Sequence, residues 1–149
     1  MLYYGCDIPE DLYYHQEYDS WVRFEADGTA TLGMTDVAQT MSGKLLHIQF
    51  KSPGKTVKAG RVAATIESGK WVGPFVMPFD AELLAINDKA FADDILIANR
   101  DPYGAGWLVK VRPLQPENAR DGLLTGQEAM THIQKKVDAN GIRCYRCVE

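Results

Sequence analysis

The stretch Arg61–Val76, which reads RVAATIESGKWVGPFV, predicts a β-hairpin. Apolar side chains recur at every second position from Val62 to Ile66, as in a strand with one buried face. The pair Ser68-Gly69 suits a tight turn. The pair Gly73-Pro74 restricts the returning strand to a short segment or to a sheet edge. This pattern places Lys70 at the turn between two strands.

Short strand-like segments flank this hairpin on both sides. They end at Gly, Pro, Asn or Asp turn signals, and they cover residues 21–25, 29–33, 45–50, 81–86 and 106–112. Many short strands separated by turns predict a β sandwich or barrel. A short helix is expected at Thr35–Met41, capped by Thr35 and closed by Gly43. A possible helical turn lies at Pro9–Leu12, and residues 89–105 are expected to form a long loop.

The C-terminal region predicts an amphipathic helix over about 125–140. Thr125 and Glu128 have the spacing of a capping box, and Asn140-Gly141 can end the helix. The apolar positions that share one helix face, and would pack on the sheets, are Ala129, Ile133 and Val137. The pattern therefore predicts a mainly β, α+β fold with short N-terminal helical turns and a C-terminal amphipathic helix.

Composition and charge narrow the function classes. The 149 residues are 46% hydrophobic and 24% charged, which predicts one globular domain over residues 1–149, with its core at about 11–113 and a cysteine-containing tail at 141–149. The net charge is −4 and the basic residues are scattered, so no nucleic-acid partner is expected. No apolar run approaches the roughly 18 residues that cross a bilayer. The first residues lack the regions of a signal peptide, so we expect a cytoplasmic protein without a membrane partner.

Lys70 has a setting that allows more than a surface charge, although a lysine in a turn is by default simply solvated. A tight turn would hold the root of the side chain in place and leave its amine open to a modifying enzyme. Converting the amine into an amide would remove its charge, so that an attached group could enter apolar pockets. The residues alone leave both interpretations open.

Four segments, in the same order, resemble the glycine cleavage H-protein family between about residues 11 and 112. Gly33–Gln39 resembles the family's Gly-Ile-Thr-Asp-x-Ala-Gln, and Val57–Gly60 matches its approach loop. Ile66–Lys70 resembles its Val-Glu-Ser-Val-Lys, in which the lysine is lipoylated. Asn99–Leu108 resembles its Asn-x-Asp-Pro-Tyr-Gly-x-Gly-Trp-Leu.

The resemblance implies a lipoyl-domain-like barrel-sandwich hybrid, with lipoate bound covalently to Lys70 and no catalytic site of its own. Glu67, Ser68 and Gly69 would belong to the surface that a lipoate–protein ligase recognises, although Glu67 and Ser68 also suit an ordinary turn. A monomer without a metal site is expected. Asp36 has two interpretations: a helix-start residue stabilised by the helix dipole, or a direct part of the site.

Several positions depart from the family pattern. The family's His-Glu-Trp is Asp19-Ser20-Trp21 here, its valine before the lysine is Gly69, and its Ala-Ala after the lysine is Trp71-Val72. These changes surround the expected arm and indicate a different cargo. Residues 67–74, Glu-Ser-Gly-Lys-Trp-Val-Gly-Pro, most resemble the H-protein-like lipoate-binding proteins of bacterial heterodisulfide-reductase-like sulfur oxidation.

Two pathways follow from the resemblance. In sulfur oxidation, the partners would be a heterodisulfide-reductase-like complex and a dihydrolipoamide dehydrogenase, and the arm would carry sulfur intermediates. In the alternative, the chain is a glycine cleavage H protein that carries the aminomethyl group between glycine cleavage enzymes. Both are family-level interpretations, because a fold can serve more than one pathway.

The three cysteines are Cys6, Cys144 and Cys147, an odd and sparse set that does not predict a disulfide scaffold. Cys144 and Cys147 form a Cys-x-x-Cys motif in the tail. They are interpreted as incidental free thiols, as a redox-active pair that would make the chain a thiol oxidoreductase, or as a metal or structural pair. Reactive Cys-x-x-Cys pairs usually owe a low thiol pKa to the N-terminus of a following helix, and only two residues follow Cys147.

Overall fold

A computed structural model describes residues 1–146, and in this range the chain forms twelve strands and four helices. The strands are β1 (Leu2–Tyr3), β2 (Cys6–Asp7), β3 (Tyr13–His15), β4 (Ser20–Phe24), β5 (Ala30–Met34), β6 (Leu45–Phe50), β7 (Thr56–Val57), β8 (Val62–Ser68), β9 (Val72–Val76), β10 (Ala81–Ile86), β11 (Val109–Pro113) and β12 (Leu123–Thr125). The helices are α1 (Asp36–Ser42), α2 (Asp88–Asp93), α3 (Ile97–Arg100) and α4 (Gly126–Asn140).

The strands of residues 1–146 form three antiparallel sheets. The largest has the order β12-β3-β4-β5-β11-β10-β7, and the second has the order β6-β8-β9. The strands β1 and β2 pair separately as a small hairpin. The predicted hairpin is therefore β8–β9, in which Glu67 pairs with Val72.

The two larger sheets share one apolar core. Leu32 and Leu83 of the seven-stranded sheet and Ile66 and Phe75 of the three-stranded sheet are all at most 4% exposed and belong to the same cluster. In β8 the buried Ile66 alternates with exposed Thr65 and Glu67, as the period of two requires. The mainly β fold with a C-terminal helix confirms the predicted class.

The helix α4 covers a second apolar cluster with the face that the sequence predicts. Ala129, Ile133 and Val137 are buried against the N-terminal segment and Trp21. The predicted capping box is wrong in detail: the Thr125 hydroxyl donates to the carbonyl oxygen of Leu12 at 2.8 Å and makes no cap bond. The Thr125 hydroxyl therefore bonds to the N-terminal segment and not to the helix N-terminus that the local sequence predicts as its partner.

Two other local expectations have opposite outcomes. The Thr35 hydroxyl accepts from the Ala38 N–H at 3.1 Å and caps α1, as predicted. The expected loop at 89–105 is wrong, because α2 and α3 lie there and bury Phe91 and Ala98 in the main core. Residues 10–12 form turns and bends without a helix.

A disulfide joins Cys6 of β2 to Cys144, with 4.7 Å between their Cα atoms. The sequence did not predict this disulfide, since sequence spacing cannot reveal a pairing across 138 residues. Cys144 is not a free thiol of a Cys144/Cys147 pair in this structure. Cys147 itself lies outside the described residues.

Candidate functional site

Lys70 lies at the exposed tip of the β8–β9 hairpin. The Ser68 N–H donates to the Trp71 carbonyl oxygen at 2.8 Å and closes the turn. The Ser68 hydroxyl accepts from the Lys70 N–H at 3.3 Å and donates to the Trp71 carbonyl oxygen at 3.3 Å. The backbone of Lys70 is thus held by the turn while the residue stays exposed.

The C-terminal end of α1 supports the lysine side chain. Gly43 ends α1 with φ +78°, and a Cβ at this position would lie 3.0 Å from Lys70 Cε. Glycine is therefore favoured at position 43 for two reasons: it adopts the positive φ without strain, and it has no Cβ to crowd the methylene chain of Lys70. Leu45, two residues later, pairs with Ser68, so α1 and the hairpin meet at the root of the lysine.

Asn99 holds this junction together from the inside. Its amide nitrogen donates to the Gly43 carbonyl oxygen at 2.9 Å and to Gln39 Oε1 at 3.2 Å. Its amide oxygen accepts from the Leu45 N–H at 3.1 Å. Asn99 is fully buried, so these bonds satisfy backbone groups that water does not reach.

A cleft of about 350 Å³ opens beside the hairpin. Met34, Ile66 and Phe75 contribute to its apolar wall, and Glu17 and Asp19 lie at its polar edge. Asp19 is paired with Lys136 at 2.5 Å. An apolar wall of this size suits a hydrocarbon chain better than an ion.

Trp71 and Ser20 place an indole ring and a buried hydroxyl in the lining of this cleft. The Trp71 side chain lines it, is 42% exposed, and lies over Gly73, where an added Cβ would be 2.0 Å from the ring. Ser20 is 2% exposed, and its hydroxyl has no hydrogen-bond partner among residues 1–146. A buried hydroxyl without a partner is costly and is a candidate contact for a bound group.

Apolar side chains also surround the lysine on the outside. Met41, Leu46 and Val72 are 48%, 61% and 65% exposed, and all lie on α1 or on strands that meet at the Lys70 turn. Exposed apolar residues that cluster around one reactive group are typical of a docking surface.

Asp36 acts as a structural junction. Its carboxylate is 1% exposed and accepts from the Asp7 N–H at 2.8 Å, from Gln39 Nε2 at 2.7 Å and from Arg146 Nε at 3.0 Å. Burial lowers the pKa of Arg146, but the hydrogen bond from Arg146 to Asp36 and the nearby carboxylates outweigh it, so the pKa of Arg146 is raised. The arginine therefore stays charged beside Asp36.

Tyr103 belongs to the same junction. Its hydroxyl donates to the Asp7 carbonyl oxygen at 2.6 Å and accepts from the Asp36 N–H at 2.9 Å. Burial raises the pKa of Tyr103, so the phenol remains neutral and keeps both bonds.

The structure brings together the four predicted hairpin residues but separates their roles. Glu67, Gly69 and Lys70 are exposed, whereas Ser68 is 5% exposed and its hydroxyl is engaged within the turn. Cys144 lies elsewhere, bonded to Cys6. Gln39 and Asn99 lie in segments that resemble the family, but the sequence predicts neither their hydrogen bonds nor those of Arg146, because these bonds reach partners far away in the chain. In the sequence Ser20 stands out only as a departure from the family pattern.

Residues 1–146 offer neither a membrane-spanning helix nor a metal-binding cluster. No helix there combines the length and the apolar character that a membrane span needs. The same range contains no cluster of three or more His, Cys, Asp or Glu side chains suited to a metal ion.

Known proteins are similar to this chain in sequence and fold. The family model of the glycine cleavage H-protein matches residues 12–136. Glycine cleavage system H protein 3 of Aquifex aeolicus is 46% identical over 149 residues, which cover 98% of this chain and 92% of that protein. The probable glycine cleavage system H protein 2 of Saccharolobus solfataricus is 41% identical and covers 95% of this chain and 96% of its own.

A solved structure agrees with these matches. The crystal structure of a glycine cleavage system H protein from Mycobacterium marinum has a TM-score of 0.70 and 34% identity, and covers 91% of this chain and 100% of that chain. Members of this family are lipoyl carriers that bear lipoate on a lysine and have no catalytic activity of their own. The chain belongs to the glycine cleavage H-protein family.

Proposed function

We propose that Lys70 carries the lipoyl group and that the chain shuttles intermediates between enzymes of the cytoplasm. The observation that carries this proposal is the position of Lys70. It stands at the exposed tip of a turn fixed by Ser68, and its stem rests on Gly43.

The surroundings of Lys70 fit a lipoyl group. The amine is open to a ligase, and an amide bond to lipoate removes its charge. The cleft of about 350 Å³ has an apolar wall that can receive the hydrocarbon part of the arm. The free hydroxyl of Ser20 offers a hydrogen bond at the same cleft. The bound lipoyl group would supply reversible dithiol–disulfide chemistry, and the protein supplies its position.

Family membership favours glycine cleavage as the pathway. The matching family model and the relatives carry glycine cleavage names, and none of these names supports the predicted sulfur-oxidation role. The partners proposed here are therefore the glycine cleavage enzymes and a lipoate–protein ligase, with the aminomethyl group as cargo. The carboxylate of Glu17, which lines the cleft, could form an ion pair with a positively charged aminomethyl group.

One observation favours the second candidate, a sulfur cargo delivered to a heterodisulfide-reductase-like complex. The family's glutamate in His-Glu-Trp is Ser20 here, and Ser20 lies in the cleft beside the bulky Trp71. Because Ser20 places a neutral hydroxyl where the family has a carboxylate, the cleft attracts a cation less strongly, which favours an uncharged or sulfur-containing group. This difference is the structural basis for keeping the second candidate.

The attachment site is tested by loading purified chain with lipoate, ATP and a lipoate–protein ligase, followed by peptide mass spectrometry. We expect one lipoyl addition, at Lys70. Lys70→Arg should take none, and the exposed-loop control Lys55→Arg should load like the wild type. A chain that stays bare while a reference H protein loads in the same reaction would overturn the proposal.

The cargo is tested on chain purified from its own cells without reductant. An aminomethyl adduct on the lipoyl sulfurs would establish glycine cleavage, and additional sulfur would establish the second candidate. As a matched variant, Ser20→Glu restores the family's carboxylate. It should increase aminomethyl loading by glycine cleavage enzymes if Ser20 has shifted the cargo, and leave the loading unchanged otherwise.

A further inference from the structure

We propose that the Cys6–Cys144 disulfide is a redox-responsive latch. A dithiol reductant opens it at Cys144, and the opening releases the tail, defined here as residues 142–146, from the helix that supports Lys70. The latch itself stands on contacts of this chain alone. Its effect on the arm rests on the function proposed above.

The two bonded cysteine residues differ in their exposure to solvent. Cys6 is fully buried, whereas Cys144 is partly exposed. Disulfide exchange begins with attack of a thiolate on an accessible sulfur. A dithiol therefore attacks Cys144 Sγ, and Cys6 leaves as a thiolate and takes up a proton.

The second step completes the exchange. The second thiol of the reductant, as its thiolate, attacks the reductant's other sulfur, which is bonded to Cys144 in the mixed disulfide. Cys144 leaves as a thiolate and takes up a proton. Two electrons pass from the dithiol to the protein disulfide, and the dithiol becomes a cyclic disulfide. The reductant class is a vicinal or near-vicinal dithiol, to which dihydrolipoyl groups belong.

The closed latch places the tail along α1. The Tyr145 N–H donates to Thr40 Oγ1 at 3.3 Å, and the Tyr145 carbonyl oxygen accepts from Gln39 Nε2 at 2.7 Å. Arg146 donates to both oxygens of Asp36, at 3.0 and 3.3 Å. These contacts follow directly after Cys144 in the chain, so the disulfide determines where they begin.

Arg146 is the cationic partner of a buried carboxylate. Asp36 is 1% exposed, and within residues 1–146 its ion pair is with Arg146. A buried carboxylate that loses its cation is strongly destabilising. Once the tail is released, α1 must therefore shift or admit water to solvate Asp36.

A continuous hydrogen-bond path connects this carboxylate to the lysine turn. Gln39 Nε2 donates to Asp36, and Gln39 Oε1 accepts from Asn99 at 3.2 Å. Asn99 in turn holds the Gly43 carbonyl oxygen and the Leu45 N–H. Gly43 lies against the methylene chain of Lys70, so increased motion of α1 would change the surroundings of the Lys70 side chain.

The test uses full-length Lys70→Arg chain, which cannot carry the arm, so that the latch is examined independently of lipoylation. Alkylation and mass spectrometry first establish the state of each cysteine. We expect Cys6 and Cys144 to be protected until dithiothreitol is added. Ready alkylation of both cysteines in protein isolated without reductant would overturn the proposal.

Hydrogen exchange then measures the coupling. Because reduction also lowers the global stability, exchange is compared between two segments: reduction should raise amide exchange in residues 36–45 roughly tenfold more than in residues 82–86 of β10, as expected when a local unit opens. An equal increase in both segments, or no increase in residues 36–45, would overturn the coupling. Cys147→Ser should respond like its parent; a lost response would show that Cys147, and not Cys6, is the working partner.

A final pair of variants isolates the ion pair without touching the disulfide. Arg146→Gln should raise exchange in residues 36–43 while Cys6 and Cys144 remain bonded. The matched control Arg143→Gln removes a neighbouring arginine that lies over the Tyr4 ring and should leave this exchange unchanged. Equal effects of the two variants would contradict a path through Asp36.

Discussion

Gly33 lies directly against the indole ring of Trp21. Trp21 is fully buried, and its Nε1–H donates to the Pro102 carbonyl oxygen at 3.0 Å. A Cβ added to Gly33 would lie 2.7 Å from the indole ring. The glycine of the Gly-Met-Thr-Asp segment therefore makes room for a side chain that ties β4 to the segment after α3.

Gly33→Ala should accordingly destabilise the fold. We expect the free energy of unfolding to fall by about 1–3 kcal/mol, the usual range for overpacking a core. The measurement is urea unfolding followed by tryptophan fluorescence. Gly69→Ala is the matched control, because a Cβ there meets nothing within 4 Å, and it should unfold like the wild type.

His15 gives stability a pH dependence. Its Nδ1 accepts from the N–H groups of Glu17 and Tyr18 at 3.0 and 3.1 Å, and burial lowers its pKa from 6.5. A depressed pKa means that the neutral ring contributes stability above the unfolded-state pKa. That contribution is lost as the pH falls through the lower folded-state pKa.

Unfolding midpoints should therefore decrease for the wild type when the pH is lowered from about 7 to about 5. His15→Asn keeps an oxygen acceptor but does not titrate, so its profile should be flatter in this window. The exposed His47→Asn serves as control and should keep the wild-type slope. Parallel profiles for all three proteins would show that His15 makes no such contribution.

At the scale of the elements, Asn99 joins α1, α3 and β6. Asn99→Ala removes the hydrogen-bond partner of the Leu45 N–H and of Gln39 Oε1, and leaves the Gly43 carbonyl oxygen with the Ser42 hydroxyl at 3.3 Å. We expect a loss of about 2–4 kcal/mol, since each unsatisfied buried group costs about 1–3 kcal/mol. Chemical unfolding measures this loss, and the exposed Asn118→Ala should show none.

The sequence predicted the β8–β9 hairpin and the buried face of α4 because both follow from local periodicity. It missed α2 and α3, which have no side-chain cap bond and are stabilised by burying Phe91 and Ala98. Local sequence patterns do not predict such tertiary packing. The proposal that Lys70 is the attachment site comes from resemblance. The cleft could not be predicted, since Ser20, Met34 and Phe75 meet only in the folded chain.

At the scale of the whole molecule, the Cys6–Cys144 disulfide closes a loop across 138 residues of sequence. Cys6→Ser should lower the free energy of unfolding by about 3–5 kcal/mol, because a long loop loses much entropy when it is closed in the unfolded chain. Denaturant unfolding measures this change. Cys147→Ser is the control, and added reductant should lower the stability of wild type but not of Cys6→Ser.

The same closure makes the early and late parts of the described chain neighbours. The Cys144 N–H donates to the Tyr4 carbonyl oxygen at 3.1 Å, beside the β1–β2 hairpin. A circular permutant that connects these regions by a short linker and opens the β4–β5 turn at Asp27-Gly28 would keep every strand pairing. In such a chain Lys70 would move from near the middle of the sequence into its first third, yet it would lie at the same tip of the same hairpin.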